Sequence, residues 1–573
     1  MSKNALEQIR QEARREVGEG AADTTLALNP VVGVHMEDLV AAARSTSAQV
    51  VKQPIVAAQN AINFARKLIG IAKGENTYDL DIKDRRFEDP AWQKSWFYRG
   101  LLQSYLALQE SLEEWVVDVD FNELDERRAK FLLNIMSASI APTNTLLGNP
   151  AALRRVLDTG GANLKTGIAQ LLDDRRNNDG MPSQVDKSKF ELGRNLATQH
   201  GAVVFKNEML ELIQYTPVTS KVYKRPLMVI PAPINKFYVF DLSPEKSFFK
   251  FCLEQGIQLF TVSWRNPSPE QSHWGLDDYI NSLKEAQLAI LKITRCEELN
   301  LYSPCSGGII SSILMAHLQA LGESSIHSLT LPVCVLIPEE EDSDMTIFVS
   351  ESSIETSRKK SKKAGVLRGS DLARVFNWMR PNDLIWNYVV NNYLMGTKPP
   401  AFDILYWNGD TTNLPAQLHH DFLDIMLGGA LVRAGETIVC GTAIDLGTVE
   451  ADKYIVAGTT DHLTPWRACY RNTEVLGKNS TFVLSSSGHI QCLINPLGNP
   501  KSRYYVNEDL QGSADQWLEG AEEHNDSWWV HWVDWLKARS GEEKSAPKRL
   551  GNRKYVVSDS APGTYVFDRP ASH

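Results

Sequence analysis

The chain has 573 residues, of which 43% are hydrophobic and 23% charged. That is the balance of an ordinary soluble globular protein with room for more than one domain. A net charge of −10 speaks against nucleic-acid binding, which needs a basic surface. No apolar run approaches the roughly 20 residues of a membrane span, and the polar N-terminus has no signal-peptide core, so the expected place of the chain is the cytoplasm.

Residues 1–200 read as mainly helical. Over 36–73, Leu39, Val40, Ala43, Val50, Val51, Ile55, Ala58, Ile62, Ala65 and Ile69 recur at helical spacing. The expectation is a helix pair packed on the protein. The alternative is an amphipathic surface laid against a hydrophobic body or membrane face. Residues 96–116 and 130–138 continue the helical pattern, and 178–183 is a loop.

From about residue 201 the texture changes to alternating strands and helices. Strands are expected at 202–205, 210–215, 226–231 and 257–264, an amphipathic helix at 277–294, then strands at 299–302 and 333–337. This alternation predicts a parallel sheet with helices on both faces. It stops between about 340 and 430. An acidic run, Glu339-Glu340-Glu341-Asp342-Ser343-Asp344, and a basic run, Arg358-Lys359-Lys360-Ser361-Lys362-Lys363, lie there. They are expected to be solvated stretches of an insertion, the basic one alternatively meeting the phosphates of an acyl carrier such as coenzyme A. A segment of this length between two halves of a sheet is most simply a cap over an active site. The sheet is expected to resume at 436–441. Trp528, Trp532 and Trp535 fall on one helix face and are expected in the core.

The seven cysteines form no CxxC pair, so no structural zinc is expected and the thiols should be free. Six are expected in the core. Cys305 differs, because Ser303-Pro304-Cys305-Ser306-Gly307-Gly308 follows a short apolar strand and opens an apolar helix. Strand, tight turn, helix is the setting of a nucleophile elbow, in which acid and histidine follow the nucleophile in chain order. A thiolate there points to acyl chemistry through a covalent thioester. Asp461 and His489 each end a strand further down, where α/β sheets place their chemistry. The fold class expected is therefore α/β: an α/β-hydrolase core over 201–573 with a cap at about 340–430, preceded by a mainly helical N-terminal domain over 1–200.

Taken together, the segments resemble the polyhydroxyalkanoate synthases, most closely class II, the medium-chain-length synthases of pseudomonad type. Asp84-Arg85-Arg86-Phe87-Glu88-Asp89-Pro90-Ala91-Trp92, Ala141-Pro142-Thr143-Asn144-Thr145, Ile234-Asn235-Lys236-Phe237-Tyr238, Ser263-Trp264-Arg265-Asn266-Pro267 and Trp378-Met379-Arg380-Pro381-Asn382-Asp383 carry the likeness, with the elbow, Asp461-His462 and Ser487-Gly488-His489. The resemblance implies Cys305 as the nucleophile that holds the growing chain, His489 as general base, and Asp461 either orienting His489 or activating the substrate 3-hydroxyl. His462 is expected in a supporting role behind them. An oxyanion hole is required. The elbow nominates the backbone N–H of Ser306, and the loop after the first core strand nominates that of Ile234. Cys334 and Gln491 are placed near the pocket, with core packing the simpler reading for Cys334.

The resemblance further implies polymerisation of (R)-3-hydroxyacyl-CoA, medium-chain in type, with coenzyme A as leaving group and no metal or other cofactor. It implies a homodimer at the surface of cytoplasmic polyester granules, among granule-associated proteins. Two readings compete: an acyl-CoA thioesterase on the same Cys-His-Asp set, and a granule-coating protein with a decayed site. The chain departs from the family at Ser303, where glycine is usual, and at Pro304. It departs again at Pro231-Ala232-Pro233 and at the segment after residue 335, normally aspartate-bearing. These touch rate, stability or substrate range more than reaction type.

Overall fold

The computed structural model describes residues 49, 51–75, 78, 84–337 and 351–569. The acidic run at 339–344 and the start of the 36–73 pattern lie outside them. The described residues form two compact units. One takes those of 34–186 and 374–401, the other those of 187–373 and 402–573.

The first unit is helical. Helix α1 (Pro54–Lys73) packs on α2 (Trp96–Asp118). Asn60 Nδ2 donates to Asp118 Oδ2 at 3.1 Å, and Lys67 Nζ lies between Glu110 (2.6 Å) and Glu114 (2.7 Å). The opposite face of α1 leaves Ile55, Ile62 and Ile69 exposed. Helix α3 (Glu123–Ser139) is capped by Asn122, whose side chain accepts from the Asp125 N–H. Helix α4 (Pro150–Thr159) carries the full set of local signals. Asn149 caps it, Pro150 opens it where the missing N–H costs nothing, and Gly160 closes it in the left-handed region at φ +58°. Helix α5 (Ala162–Asn177) follows.

The second unit is built on a ten-stranded sheet, counted among the described residues. Its strands are β1 (Gly201–Lys206), β2 (Leu210–Tyr215), β3 (Leu227–Val229), β4 (Leu259–Trp264), β5 (Leu299–Tyr302), β6 (Ile326–Pro332), β7 (Asp452–Gly458), β8 (Ser480–Ser485), β9 (Tyr504–Val506) and β10 (Glu522–His524). The order across the sheet is β1-β2-β4-β3-β5-β6-β7-β8-β9-β10. The six central strands, β4 to β8, run parallel, and an antiparallel pair closes each edge. Central strands buried on both faces read as continuous apolar runs: Leu227, Met228 and Val229 of β3 are fully buried, as are Ile455, Val456 and Ala457 of β7. Helix α6 (Leu276–Thr294) buries Leu276, Tyr279, Ile280, Leu283, Ala286 and Ile290 along one stripe. Helix α7 (Cys305–Ala320) is apolar and buried nearly throughout, α8 (His489–Leu493) is short, and α9 (Trp528–Ala538) buries Trp528, Trp529 and Trp532.

The chain passes from β3 outward to β4, then returns to the other side of β3 as β5. The strand order thus reverses between β3 and β5, which opens a crevice beyond their carboxyl ends.

Two expected strands are corrected. Residues 333–337 are not a strand; β6 is Ile326–Pro332 and ends where Val333 turns to φ +46°. The last ladder bond there is Val333 N–H to Val456 O at 2.7 Å. Residues 333–336 are buried without extending the ladder; the Leu336 N–H donates instead to Asn472 Oδ1 at 3.0 Å. Residues 436–441 do not rejoin the sheet. Ile438–Val439 pairs with Thr442–Ala443 in a separate hairpin whose corner, Cys440 and Gly441, has positive φ at both positions. Cys440 is therefore half-buried rather than in the core. The sheet resumes at β7.

Of the 340–430 stretch, residues 374–401 cluster with the helical unit and the remaining described residues with the sheet unit. The basic run lies on a helix, Glu351–Ala364, where Arg358 pairs with Asp424 at 2.5 Å.

Candidate active site

Cys305 stands at the end of β5, between Pro304 in extended geometry and the first turn of α7. Its φ of +50° is left-handed, a strained conformation for a residue with a side chain and the mark of a nucleophile elbow. The strain is held by packing. A Cβ on Gly307 would meet Ile230 O at 2.5 Å, and one on Gly308 would meet Cys334 Sγ at 2.6 Å. Only glycine lets α7 approach the ends of β3 and β6 this closely. Ser303, buried, accepts a hydrogen bond from Ser311 Oγ at 2.7 Å, which ties the strand end to the second turn of the helix.

Asp461 follows β7 and His489 opens α8 after β8. The parallel pairing of β7 with β8, Gly458 opposite Ser485, brings the two together. His489 Nδ1 donates to Asp461 Oδ2 at 2.7 Å, both side chains being buried. Asp461 Oδ1 accepts from the backbone N–H groups of Leu463 (2.9 Å) and Thr464 (3.0 Å), and Oδ2 also accepts from Thr464 Oγ1 at 2.5 Å. Burial alone pushes the His489 imidazole down. The charge of Asp461 and their hydrogen bond outweigh it and hold the imidazole well above its ordinary value, with Cys305 adding to the same shift. Burial likewise opposes ionisation of Asp461, but His489 and then Thr464 leave its carboxyl below the usual range. His489 Nε2, the nitrogen opposite Asp461, is buried and makes no hydrogen bond. The Cys305 side chain faces the His489 ring and adds to its upward shift, while the geometry at Nε2 falls short of a formed hydrogen bond. Such contacts commonly tighten only once substrate binds.

The N–H of Ser306 lies in the first turn of α7, where amides have no intrahelical acceptor. Ile234 sits in the loop after β3 and uses its carbonyl to accept from Thr412 N–H at 3.2 Å. Neither the Ser306 nor the Ile234 N–H is engaged by a backbone carbonyl. The loop lies against the elbow through the Gly307 contact with Ile230 and Pro231.

His462 is not brought to the pair. Its side chain is exposed and gives Asp461 no hydrogen bond. The residue that backs the pair is Thr464, whose Oγ1 is also 3.1 Å from His489 Nδ1. The sequence reading missed it, although an Asp followed closely by Thr at a strand end is a local turn signal. Cys334 is fully buried against Gly308, and burial pushes its thiol well up. Trp528 Nε1 donates to Cys492 O at 2.9 Å and so holds the last turn of α8 from below.

Residues 83–252 match the family model described as poly-beta-hydroxybutyrate polymerase (PhaC) N-terminus, and residues 239–496 match that of the alpha/beta hydrolase fold. The chain is 49% identical to poly(3-hydroxyalkanoate) polymerase 1 of Ectopseudomonas oleovorans over 97% of its own length and 99% of the relative's. It is 45% identical to polymerase 2 of that organism, over 94% and 96%. With the poly(3-hydroxyalkanoate) polymerase subunit PhaC of Cupriavidus necator it shares 38% over 88% and 86%. Likeness of this degree along nearly the whole chain is more than a shared fold: the chain belongs to the poly(3-hydroxyalkanoate) polymerase family, in its class II, pseudomonad branch.

Proposed function

We propose that this chain polymerises (R)-3-hydroxyacyl-CoA, medium-chain in type, into polyester through an acyl thioester on Cys305. Family membership supports the overall reaction. The observation that carries the mechanism is the buried Asp461–His489 bond facing a cysteine on a strained elbow. His489 Nε2 takes the Cys305 proton, and the thiolate adds to the thioester carbonyl. Charge develops on the carbonyl oxygen, where the N–H groups of Ser306 and Ile234 receive it. The intermediate collapses, the C–S bond to coenzyme A breaks, and the imidazolium returns its proton to the departing thiolate. The 3-hydroxyl of a second acyl unit then loses its proton to His489 and attacks the enzyme-bound acyl carbonyl, forming an ester and freeing a thiol. The balance needs no metal or redox cofactor; coenzyme A is the leaving group. Both Asp461 oxygens are engaged by His489, Leu463 and Thr464, which favours the orienting role for this carboxylate over activation of the hydroxyl.

The same reading includes a homodimer at the surface of cytoplasmic polyester granules, with other granule proteins as neighbours. The apolar surface of the helical unit supports granule contact. Ile55, Ile62, Ile69, Trp96, Phe97 and Leu157 are all exposed there. No helix among the described residues is long and apolar enough to cross a membrane.

The test is product analysis with purified protein and (R)-3-hydroxydecanoyl-CoA. Coenzyme A and insoluble polyester are expected, and Cys305→Ala should abolish both. Coenzyme A with only free hydroxy acid would make the protein a thioesterase. Polymer yield unchanged by Cys305→Ala in a synthase-deficient cell would remove Cys305 from the chemistry.

A further inference from the structure

The loop that carries Ile234 is irregular, and two of its residues, Pro231 and Pro233, have no N–H to anchor it. Its position is set from outside. Trp264 Nε1 donates to Pro231 O (2.8 Å), Trp407 Nε1 to Lys236 O (2.7 Å), and Asn235 bridges to Thr411. The remaining hold is a charge. Lys236 follows Ile234 by two residues and is 7% exposed. Its Nζ donates to Val566 O at 2.6 Å and Asp568 O at 2.9 Å, and lies 3.1 Å from Asp410 Oδ1. An ammonium has three protons, and here each has an acceptor.

Two of those acceptors belong to the C-terminal segment 563–568, which is itself firmly seated. Glu211 of β2, fully buried, accepts from the N–H groups of Thr564 (2.8 Å) and Tyr565 (2.9 Å), from Thr564 Oγ1 (2.5 Å) and from Lys206 Nζ (2.8 Å). Tyr565 Oη donates to Asn207 O at 2.7 Å. Gly563, at φ +83°, is the point of closest approach; a Cβ there would stand 2.4 Å from Glu211 Oε2. The segment is a fixed strap, and Lys236 joins the Ile234 loop to it.

We propose that Lys236 is a positioning residue for the reaction: by bridging the C-terminal strap and Asp410 it sets where the Ile234 N–H stands relative to Cys305. The proposal rests on the reading of Ile234 as an oxyanion donor given above. Lys236 touches no reacting atom. It acts through Asn235, the one residue that separates it from Ile234, and the strap 330 residues away in sequence becomes part of the catalytic apparatus.

The test compares two rates at Cys305 in the full-length protein. One is first-turnover release of coenzyme A from (R)-3-hydroxydecanoyl-CoA, which develops an oxyanion. The other is alkylation by iodoacetamide, which needs the thiolate but no oxyanion donor. Loss of an entire donor costs about 10²–10³-fold in such sites, so a misplaced one in Lys236→Met should slow acylation by at least about tenfold. The KM should change by less than about twofold, since ground-state binding does not use the donor. Alkylation should stay at the wild-type rate. Acylation and alkylation falling together, or neither falling, would overturn the proposal. Should Lys236→Met not fold, Asp410→Asn keeps the shape and tests the same contact: slower acylation with normal alkylation is expected, and unchanged acylation counts against the role. If the wild-type protein releases no coenzyme A through Cys305, the proposed reaction fails before the strap is tested.

Discussion

At the scale of residues, the Asp461–His489 hydrogen bond is buried on both sides, and its pH dependence follows from the two shifts. The His489 pKa is raised. Its contribution to stability is therefore complete below the unfolded value of about 6.5 and is lost as pH rises through the folded value. The Asp461 pKa is lowered, so its contribution is complete above the unfolded value of about 3.9 and is lost as pH falls through the folded one. Asp461→Asn should accordingly depress Tm most at about pH 5–6, between the two unfolded values, and by less as the medium becomes alkaline. Thermal melts across pH check this, and a gap that does not vary with pH would show that the pair is not ionic. The same variant should lose roughly 10³–10⁴-fold in coenzyme A release, as triads do when the orienting acid is neutralised. Ser303 is explained at this scale as well. Its hydroxyl pairs with Ser311, and because both are buried neither hydroxyl is left unsatisfied. A serine at this position makes a bond across the elbow that glycine has no atom to form.

At the scale of elements, the elbow depends on how closely α7 approaches the sheet. Gly307→Ala would place a methyl group 2.5 Å from Ile230 O, a backbone atom that cannot turn aside. The helix must then shift, at about 1–3 kcal/mol for overpacking, carrying Cys305 away from the Ile234 loop. Displacements of about 1 Å at a reacting centre cost on the order of 100-fold. A lowered Tm with first-turnover acylation down at least about tenfold is expected; a variant as stable and as fast as wild type would mean that the close approach has no catalytic consequence. Elements also show where the sequence misleads. The elbow was legible because strand, turn and helix are contiguous and each signals itself. The run at 333–337 has the β-branched composition of a strand, yet Pro332 and the left-handed Val333 end β6 before it. The Glu436-Thr437-Ile438-Val439 run has strand propensity as well, and finds a partner four residues on instead of in the sheet. Propensity registers that a segment extends, not which neighbour it pairs with.

At the scale of the whole molecule, the sheet unit holds Cys305, Asp461 and His489, and among the described residues the helical unit holds the larger share of the exposed large apolar side chains. If α1 contacts the granule, replacing Ile55, Ile62 and Ile69 together by glutamate should release protein from isolated polyester granules. All three are exposed, and exposed substitutions of this kind move stability by only about 0.5 kcal/mol each. Sedimentation of granules reads the bound fraction, and coenzyme A release in solution should be unaltered. Full retention of the triple variant would assign granule contact to another face. The sequence by itself determined the local chemistry: Cys305 on its turn, Asp461 and His489 at strand ends, and the alternation of strand and helix. Each depends on neighbours within a few residues, where patterning and backbone sterics act directly. Tertiary structure alone decided that Thr464 rather than His462 backs the pair, that the strand order reverses between β3 and β5, and that Lys236 reaches Val566 and Asp568. Those contacts join segments that touch only after the sheet has formed, and a buried ammonium or hydroxyl shows its partner only when water has been excluded from both.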